Sequence, residues 1–202
     1  MTRFLKFKKS LAGFSLLELL LAIVLMVFLF AVSIGGYTAV VQAAALTTSA
    51  EMINDTLSTA RQSAMTQNET VEVRIYDLPP QPRQLPVYGA MQLHWLKADG
   101  TTPPVGNVLL LPASVVMDAT PEHSSLIGAN NQIATPDPTD TQLNNQTRVF
   151  HFLPDGSTDL NPATKWFLTL RAATQSDPAR FPSNWACVQI DPTTGRGQIY
   201  RP

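Results

Sequence analysis

The segment from Phe14 to Val41 is predominantly apolar, and Glu18 is its only charged residue. At about 1.5 Å per residue, a helix over this run would be about 42 Å long, which exceeds the roughly 30 Å hydrocarbon core of a bilayer. The pattern predicts a transmembrane helix over residues 14–41. Gly35-Gly36 would be a point of local weakness in it.

The apolar pattern changes after Gln42. Hydrophobic positions then recur at alternating steps of four and three, which is typical of one stripe of an amphipathic helix. The stripe consists of Leu46, Ala50, Ile53, Leu57, Ala60 and Ala64. A second helical segment is therefore predicted over 42–67, with its stripe packed against a globular head.

The remainder, 68–202, is predicted to be rich in β-strands. Short segments alternate with period two or form brief apolar runs between turn residues. The predicted strands lie at Val71–Ile75, Met91–Leu96, Val108–Leu111, Ser114–Met117, Arg148–Leu153, Lys165–Arg171, Trp185–Ile190 and Gln198–Tyr200. Turns are expected at 154–157 and 191–197, and a long polar loop at 129–146. The predicted fold class is α+β, with an antiparallel meander laid on the second half of the long helix.

A short basic segment precedes the apolar run. Residues 1–13 carry four cations and no acid, which favours a cytoplasmic position for this end. A secretory signal places small residues after its hydrophobic core, whereas Ala12-Gly13 comes before it. An unpaired carboxylate inside a membrane costs about 2.5–3.5 kcal/mol, so Glu18 is expected to have a partner.

The order Lys8-Lys9-Ser10-Leu11-Ala12-Gly13-Phe14-Ser15-Leu16-Leu17-Glu18-Leu19 resembles the class III signal of type IV pilins and pseudopilins. The resemblance implies that a prepilin peptidase cuts between Gly13 and Phe14 and methylates the new amine of Phe14. It also implies that Glu18 pairs with the terminal amine of a neighbouring subunit and sets the register of a filament. The alternative is an uncleaved signal anchor whose Glu18 snorkels to the interface.

A second resemblance lies near the other end of the chain. Phe152-Leu153-Pro154-Asp155-Gly156-Ser157 and Thr194-Gly195-Arg196-Gly197-Gln198-Ile199 are similar to the head of GspH/FimT-type minor pilins and pseudopilins. The chain also resembles the Verru_Chthon cassette D proteins, a prepilin-type family. These resemblances do not cover residues 78–146. They imply a pilin fold and a place in a type IV pilus-like or type II secretion-like filament.

The candidates for chemistry are few. His94, His123 and His151 have no second histidine or cysteine at zinc-ligand spacing, and the first and last of them are predicted to face solvent on strands. The acidic residues checked for calcium lack regular ligand spacing. They are Asp137, Asp140, Asp155, Asp159 and Asp191. We expect no metal, no cofactor, no small-molecule substrate and no enzyme activity. Asp155-Gly156-Ser157 is predicted to form a turn.

Packing roles are expected for the cysteine and the tryptophans. Cys187 is the only cysteine, so no disulfide forms within the chain, and its apolar flanks predict a buried thiol. Trp95, Trp166 and Trp185 lie in apolar strands and are predicted to belong to the core.

Nucleic acid is the main alternative partner to be considered. FimT-type pilins bind DNA through a Gly-Arg-x-Arg tail, and here Gly195-Arg196-Gly197-Gln198 keeps the first arginine, while Arg201 stands further on. Loss of the four leader cations would take the formal charge from −1 to −5, which disfavours nucleic acid. An exposed turn arginine is the competing interpretation.

These expectations combine into a non-enzymatic filament subunit. It would sit in the inner membrane as a single-pass protein with a cytoplasmic N-terminus and a periplasmic or extracellular head, and enter a filament after processing. The implied partners are the prepilin peptidase, other pilin or pseudopilin subunits and an inner-membrane assembly platform. A DNA-binding minor pilin and a single-pass membrane protein with a β-rich binding head remain as alternatives.

Overall fold

The computed structural model describes residues 15–78, 87–128, 132–133, 147–174 and 183–202, with the side chains of 31–37, 78, 87, 132 and 133 excluded. These residues form one α-helix and nine β-strands. The elements are α1 (Leu16–Gln67), β1 (Thr70–Leu78), β2 (Val87–Leu96), β3 (Pro104–Leu110), β4 (Val115–Met117), β5 (Gln132–Ile133), β6 (Thr147–Phe152), β7 (Trp166–Ala172), β8 (Trp185–Ile190) and β9 (Gly197–Tyr200). The chain divides into two compact units, Met1–Val41 and Gln42–Pro202, which are described separately.

The first unit contains the beginning of α1. Every side chain from Leu16 to Phe30 is exposed, and the large apolar ones have between 53% and 82% of their surface open. Within the described residues, no helix is long and apolar enough to cross a membrane. Phe14 and the side chains of 31–37, which belong to the predicted span, lie outside the described residues. The helical backbone continues through Gly35-Gly36.

The second unit is built on an antiparallel sheet with the strand order β5-β6-β1-β2-β4-β7-β8-β9, and β3 also pairs with β2. The α+β class and the antiparallel sheet are therefore confirmed. The predicted meander is correct for β1-β2-β3 and for β7-β8-β9. It is wrong for β6, which pairs with β1 instead of β7 because Phe150 and Phe152 join Val71 and Val73 in the core.

The predicted loop at 129–146 also needs a correction. Gln132–Ile133 forms the short strand β5, which pairs antiparallel with Val149 and Arg148 of β6. The remaining residues of this predicted loop lie outside the described residues.

One face of the sheet packs against the second half of α1. All six residues of the predicted stripe are at most 2% exposed, and they share one hydrophobic cluster with the inward-facing strand residues. The amphipathic pattern is thereby confirmed, since the same positions that recur at helical spacing fill the core.

The tryptophans divide between the two faces. Trp166 lies in the core, and Trp95 packs against its edge beneath the ammonium group of Lys97. Trp185 is half-buried and shares its side of β8 with Cys187, away from the core residues Ala186 and Val188. Its predicted core position is wrong because strand alternation points it to the opposite face.

The second face of β1 is also buried, which the sequence did not predict. Period-two alternation favoured a strand with one solvated face, yet all described side chains from Val71 to Asp77 are buried. Glu72, Arg74 and Tyr76 alternate with the core residues and are at most 8% exposed. The polar side chains of this face can be buried because the charges of Glu72 and Arg74 are paired, as described below.

Candidate functional site

Glu18 lies in the first turn of α1 and contacts the residue that precedes the helix. The backbone amide of Ser15 donates to Oε2 of Glu18 over 3.4 Å, and Oγ of Ser15 accepts from the amide of Leu17 over 3.3 Å. This reciprocal arrangement is a capping box in which the serine hydroxyl accepts from the second helical amide instead of the third, and it places a carboxylate at the positive end of the helix dipole. The Ser15-x-x-Glu18 spacing before an apolar run could have predicted it.

Glu18 thus has a partner within its own chain. The expected partner was the amine of a neighbouring subunit, and the capping box neither requires nor excludes that second interaction. Gly13 and Phe14, the predicted processing site, lie outside the described residues.

The two C-terminal turns meet on α1. Gly156 and Gly195 have left-handed φ values of 84° and 64°, which L side chains rarely adopt. Nε of Arg61, on α1, donates to the carbonyl oxygens of Gly156 over 3.2 Å and of Thr194 over 2.7 Å. A single arginine of α1 therefore holds both turns against the helix by hydrogen bonds.

At Gly195 glycine is required for space as well as for φ, whereas at Gly156 and Gly197 an added Cβ atom would meet the end of a flexible side chain. A Cβ atom on Gly195 would lie 2.2 Å from the carbonyl oxygen of Gly156, and one on Gly156 would lie 2.8 Å from Sδ of Met65. A Cβ atom on Gly197 would lie 2.2 Å from Oδ1 of Asn54. The glycines of the C-terminal motif allow the turns to approach the helix and each other.

The aspartates of these turns accept hydrogen bonds from residues of the same turn. Oδ1 of Asp155 accepts hydrogen bonds from the hydroxyl (2.6 Å) and the amide (2.9 Å) of Ser157, and these bonds lower the pKa of Asp155. Oδ1 of Asp191 accepts from the amide of Thr193 over 2.9 Å. The prediction of a turn at Asp155-Gly156-Ser157 is confirmed.

A shallow groove runs between α1 and the turn that leads into β9. Its volume is about 480 Å³. It is lined by Ser58, Arg61, Gln62, Met65, Thr66, Gly195, Arg196 and Gly197. We call this surface the arginine groove, because its charged lining residues are Arg61 and Arg196.

The two arginines considered for DNA have different surroundings. Arg196 is exposed at the arginine groove. Arg201 is half-buried, and its Nη2 donates to Oδ1 of Asn184 over 3.3 Å.

His151 occupies the centre of the polar network on the second face of the sheet. Its Nδ1 lies 2.6 Å from Oδ2 of Asp159, and its Nε2 lies 3.2 Å from Oε2 of Glu72. The other oxygen of Glu72 is paired with Nε of Arg74. The backbone amide of His151 also donates to Oδ1 of Asp159 over 2.8 Å.

These contacts perturb two pKa values. Hydrogen bonds to Asp159 and then to Glu72 raise the pKa of His151 to about 9. Burial alone would raise the pKa of Glu72, but the bonds from His151 and Arg74 outweigh it and lower that pKa. At neutral pH the cluster holds two cations and two anions, which compensates the charges that the sheet buries.

His94 lies beside this cluster on β2. Its Nδ1 is 2.9 Å from the carbonyl oxygen of Thr102, its Nε2 is 3.2 Å from the hydroxyl of Tyr76, and it is 4% exposed. The predicted solvent-facing positions of His94 and His151 are therefore wrong. Cross-strand pairing of Glu72 with both histidines brings the network together.

Asp118 organises a separate buried contact around the third histidine. Its carboxylate accepts from the amide of Thr120 over 2.9 Å and lies 3.1 Å from Nδ1 of His123 and 3.3 Å from Nε of Arg171. Burial opposes ionisation of Asp118, yet these partners lower its pKa. The contact ties the segment after β4 to β7.

Cys187 is half-buried instead of buried as predicted, because it lies on the side of β8 away from the core. Burial still raises the pKa of its thiol, which keeps it in the less nucleophilic protonated form at neutral pH.

The sequence matches no family model and no curated protein. Among solved structures, the chain is similar to the minor pseudopilin EpsH from the type 2 secretion system of Vibrio cholerae. The identity is 14%, the match covers 78% of this chain and 97% of that chain, and the TM-score is 0.46. A likeness of this size carries no argument about function.

Proposed function

We propose that this protein is a structural subunit, a minor pilin or pseudopilin, of a type IV pilus-like or type II secretion-like filament. The observation that carries the proposal is the first part of α1, whose apolar side chains from Leu16 to Phe30 are exposed on every side. Such a surface must be covered by lipid or by protein, since water would make its exposure costly.

The processing motif supplies the second support. Residues 8–19 have the order of a class III signal, in which the apolar segment follows the cleaved bond and is retained. In the proposed mechanism a prepilin peptidase cuts between Gly13 and Phe14, and the mature helix holds the subunit in the inner membrane. An assembly platform then moves it into a bundle of like helices, where neighbouring apolar segments replace lipid.

The head would be carried on the outer side of the membrane and would decide what the filament touches. The amphipathic half of α1 and the sheet form this part. The buried charge cluster around His151 and the turn carboxylates serve the fold, and the proposed role is structural instead of enzymatic.

The test is intact mass and N-terminal sequencing of the full chain after co-expression with a prepilin peptidase. The expected mature chain begins at methylated Phe14. The matched controls are co-expression with an inactive peptidase and a Gly13→Trp variant, both of which should leave Met1 in place. An uncut chain in the presence of active peptidase would support a signal-anchored membrane protein and contradict the proposal.

A further inference from the structure

The polar face of the sheet is partly open at β8 and β9, whereas at β1 it is buried. On β8 the side chains of Trp185, Cys187 and Gln189 alternate with core residues and are half-buried. The edge strand β9 adds Gln198 and Tyr200 to the same face, and both are exposed. This part of the head therefore presents aromatic and amide side chains to its surroundings.

The strand register arranges these side chains in rows, because directly opposite residues of antiparallel strands share a face. Phe167 of β7, Gln189 of β8 and Gln198 of β9 form one row. In the next row Cys187 stands opposite Tyr200. The hydroxyl of Tyr200 donates to Oε1 of Gln198 over 2.7 Å, which joins the two rows and leaves the amide nitrogen of Gln198 to act as a donor.

A groove of about 460 Å³ lies at the first of these rows, where β7 begins and β8 turns into β9. Its volume falls within the roughly 300–1,000 Å³ that is usual for small-ligand sites. We call it the β7–β9 groove. Its polar lining includes Thr164, Lys165, Gln189, Thr194, Arg196 and Gln198.

Hydrogen-bond donors and acceptors are mixed around the β7–β9 groove. Lys165 and Arg196 are exposed and form no ion pair within the described part of the chain, so both can donate to a ligand. Asp191 also lines the groove, and hydrogen bonds from Thr193 and Thr194 lower the pKa of its carboxyl group, which makes it an ionised acceptor. Its charge disfavours a polyanion, whereas sugar hydroxyl groups both donate and accept and therefore match this lining.

We infer that the β7–β9 groove binds an uncharged glycan chain, with sugar hydroxyl groups bonded to its polar lining and one sugar ring stacked on Tyr200. An aromatic ring with a polar tip suits a ligand that has an apolar C–H face and a hydroxylated edge. Tyr200 has 45% of its surface open, and its hydroxyl is already bonded to the groove residue Gln198. The inference concerns the head alone and does not rest on the proposed function.

The test is calorimetric titration of the full chain in detergent with cellohexaose and with chitohexaose, two uncharged β-linked hexamers. We expect saturable binding of at least one of them. Tyr200→Ala removes a ring and a hydrogen bond, so it should lower the affinity by about tenfold. Gln198→Ala should lower it several-fold. Gln67→Ala, at an exposed glutamine of α1, is the matched control and should leave the affinity unchanged.

Cys187 supplies a second readout that locates the bound glycan. It is the only cysteine of the chain and stands opposite Tyr200 on the same face. A saturating concentration of the hexamer should slow alkylation of Cys187 by N-ethylmaleimide several-fold, and the same concentration should have little effect in Tyr200→Ala. Binding that leaves the alkylation rate unchanged would place the glycan elsewhere and overturn the inference.

Other results would also overturn it. One is an absence of saturable binding of both hexamers at millimolar concentration, and another is equal affinity in the parent chain, Tyr200→Ala and Gln198→Ala. Salt-sensitive binding of a galacturonic acid hexamer or of single-stranded DNA, without binding of the uncharged hexamers, would assign the groove to polyanions instead. The melting temperature of each variant shows that the head is folded, and Tyr200→Phe, which keeps the ring, should lose less affinity than Tyr200→Ala.

Discussion

At the scale of single residues, His151 is the side chain whose chemistry depends most on its position in the fold. It lies between the carboxylates of Glu72 and Asp159, and Arg74 lies on the far side of Glu72. The imidazolium is stabilised by both acids, so the folded chain binds a proton more tightly than the unfolded chain does.

The raised pKa of His151 predicts that stability falls at alkaline pH. The folded value is about 9 against an ordinary value of 6.5, so the stabilisation is complete below about pH 6.5 and is lost as pH rises through 9. We expect the melting temperature of the full chain in detergent to decrease over that window. In His151→Gln the decrease should be much smaller, and stability at pH 6 should be lower by on the order of 2 kcal/mol.

A control separates this histidine from general alkaline effects. His123→Gln removes a histidine that contacts Asp118 on another part of the sheet, so it should leave most of the slope in place. An unchanged alkaline slope in His151→Gln would show that the cluster is not the titrating element.

At the scale of elements, the two C-terminal turns and α1 form one packed unit. Gly195, Gly156 and Arg61 touch one another although they are distant in sequence. The contact explains why the motif needs a glycine at each turn, and why both turns are tied to the helix and not only to their own strands.

Gly195→Ala is predicted to destabilise the head strongly. The left-handed backbone would cost about 1–3 kcal/mol, and the overlap with the carbonyl oxygen of Gly156 would add to it. Gly100→Ala is the matched control, because Gly100 has φ 81° but no atom within 4 Å of the new Cβ. Urea unfolding should therefore show the larger loss for Gly195→Ala. Equal losses would mean that backbone strain alone matters and that the turns do not depend on this approach.

Local sequence patterns predicted the positions of the helix and strands better than they predicted which strands pair with each other. The stripe from Leu46 to Ala64 and the strand β8 follow from spacing within one segment, and both are found where predicted. The position of β6 beside β1 depends on pairing between segments far apart in sequence. No periodicity within either strand encodes that choice.

The polar network was missed for the same physical reason. Glu72, His94 and His151 each alternate with apolar residues, which favoured solvent exposure for all three. Their burial becomes understandable only with the cross-strand register, because Glu72 lies opposite both histidines. The capping box of Ser15 and Glu18 is different, since it is local and its spacing was available in the sequence.

At the scale of the whole molecule, the chain combines a helical segment with exposed apolar side chains and a head that has its own hydrophobic core. The exposed apolar side chains from Leu16 to Phe30 belong to the first unit, and the buried cluster belongs to the second. If the proposed function is correct, substitutions in the first unit should therefore change membrane insertion and assembly without unfolding the head.

Glu18 offers the sharpest test of that separation, because it has two possible partners. As the acceptor of a capping box it serves its own helix, and a glutamine can replace it there. As the anionic partner of a neighbouring Phe14 amine it needs its charge, which glutamine lacks. Glu18→Gln and Glu18→Ala therefore distinguish the two roles.

We expect both variants to be cut at Gly13 and to keep the folded head, and both to enter filaments much less than the parent chain. Intact mass, protease resistance of the head and sedimentation would measure the three properties in one preparation. Normal incorporation of Glu18→Gln together with poor incorporation of Glu18→Ala would show that the capping box is what assembly needs. Normal incorporation of both would mean that Glu18 sets no register, and the filament would then have to be aligned by contacts between heads.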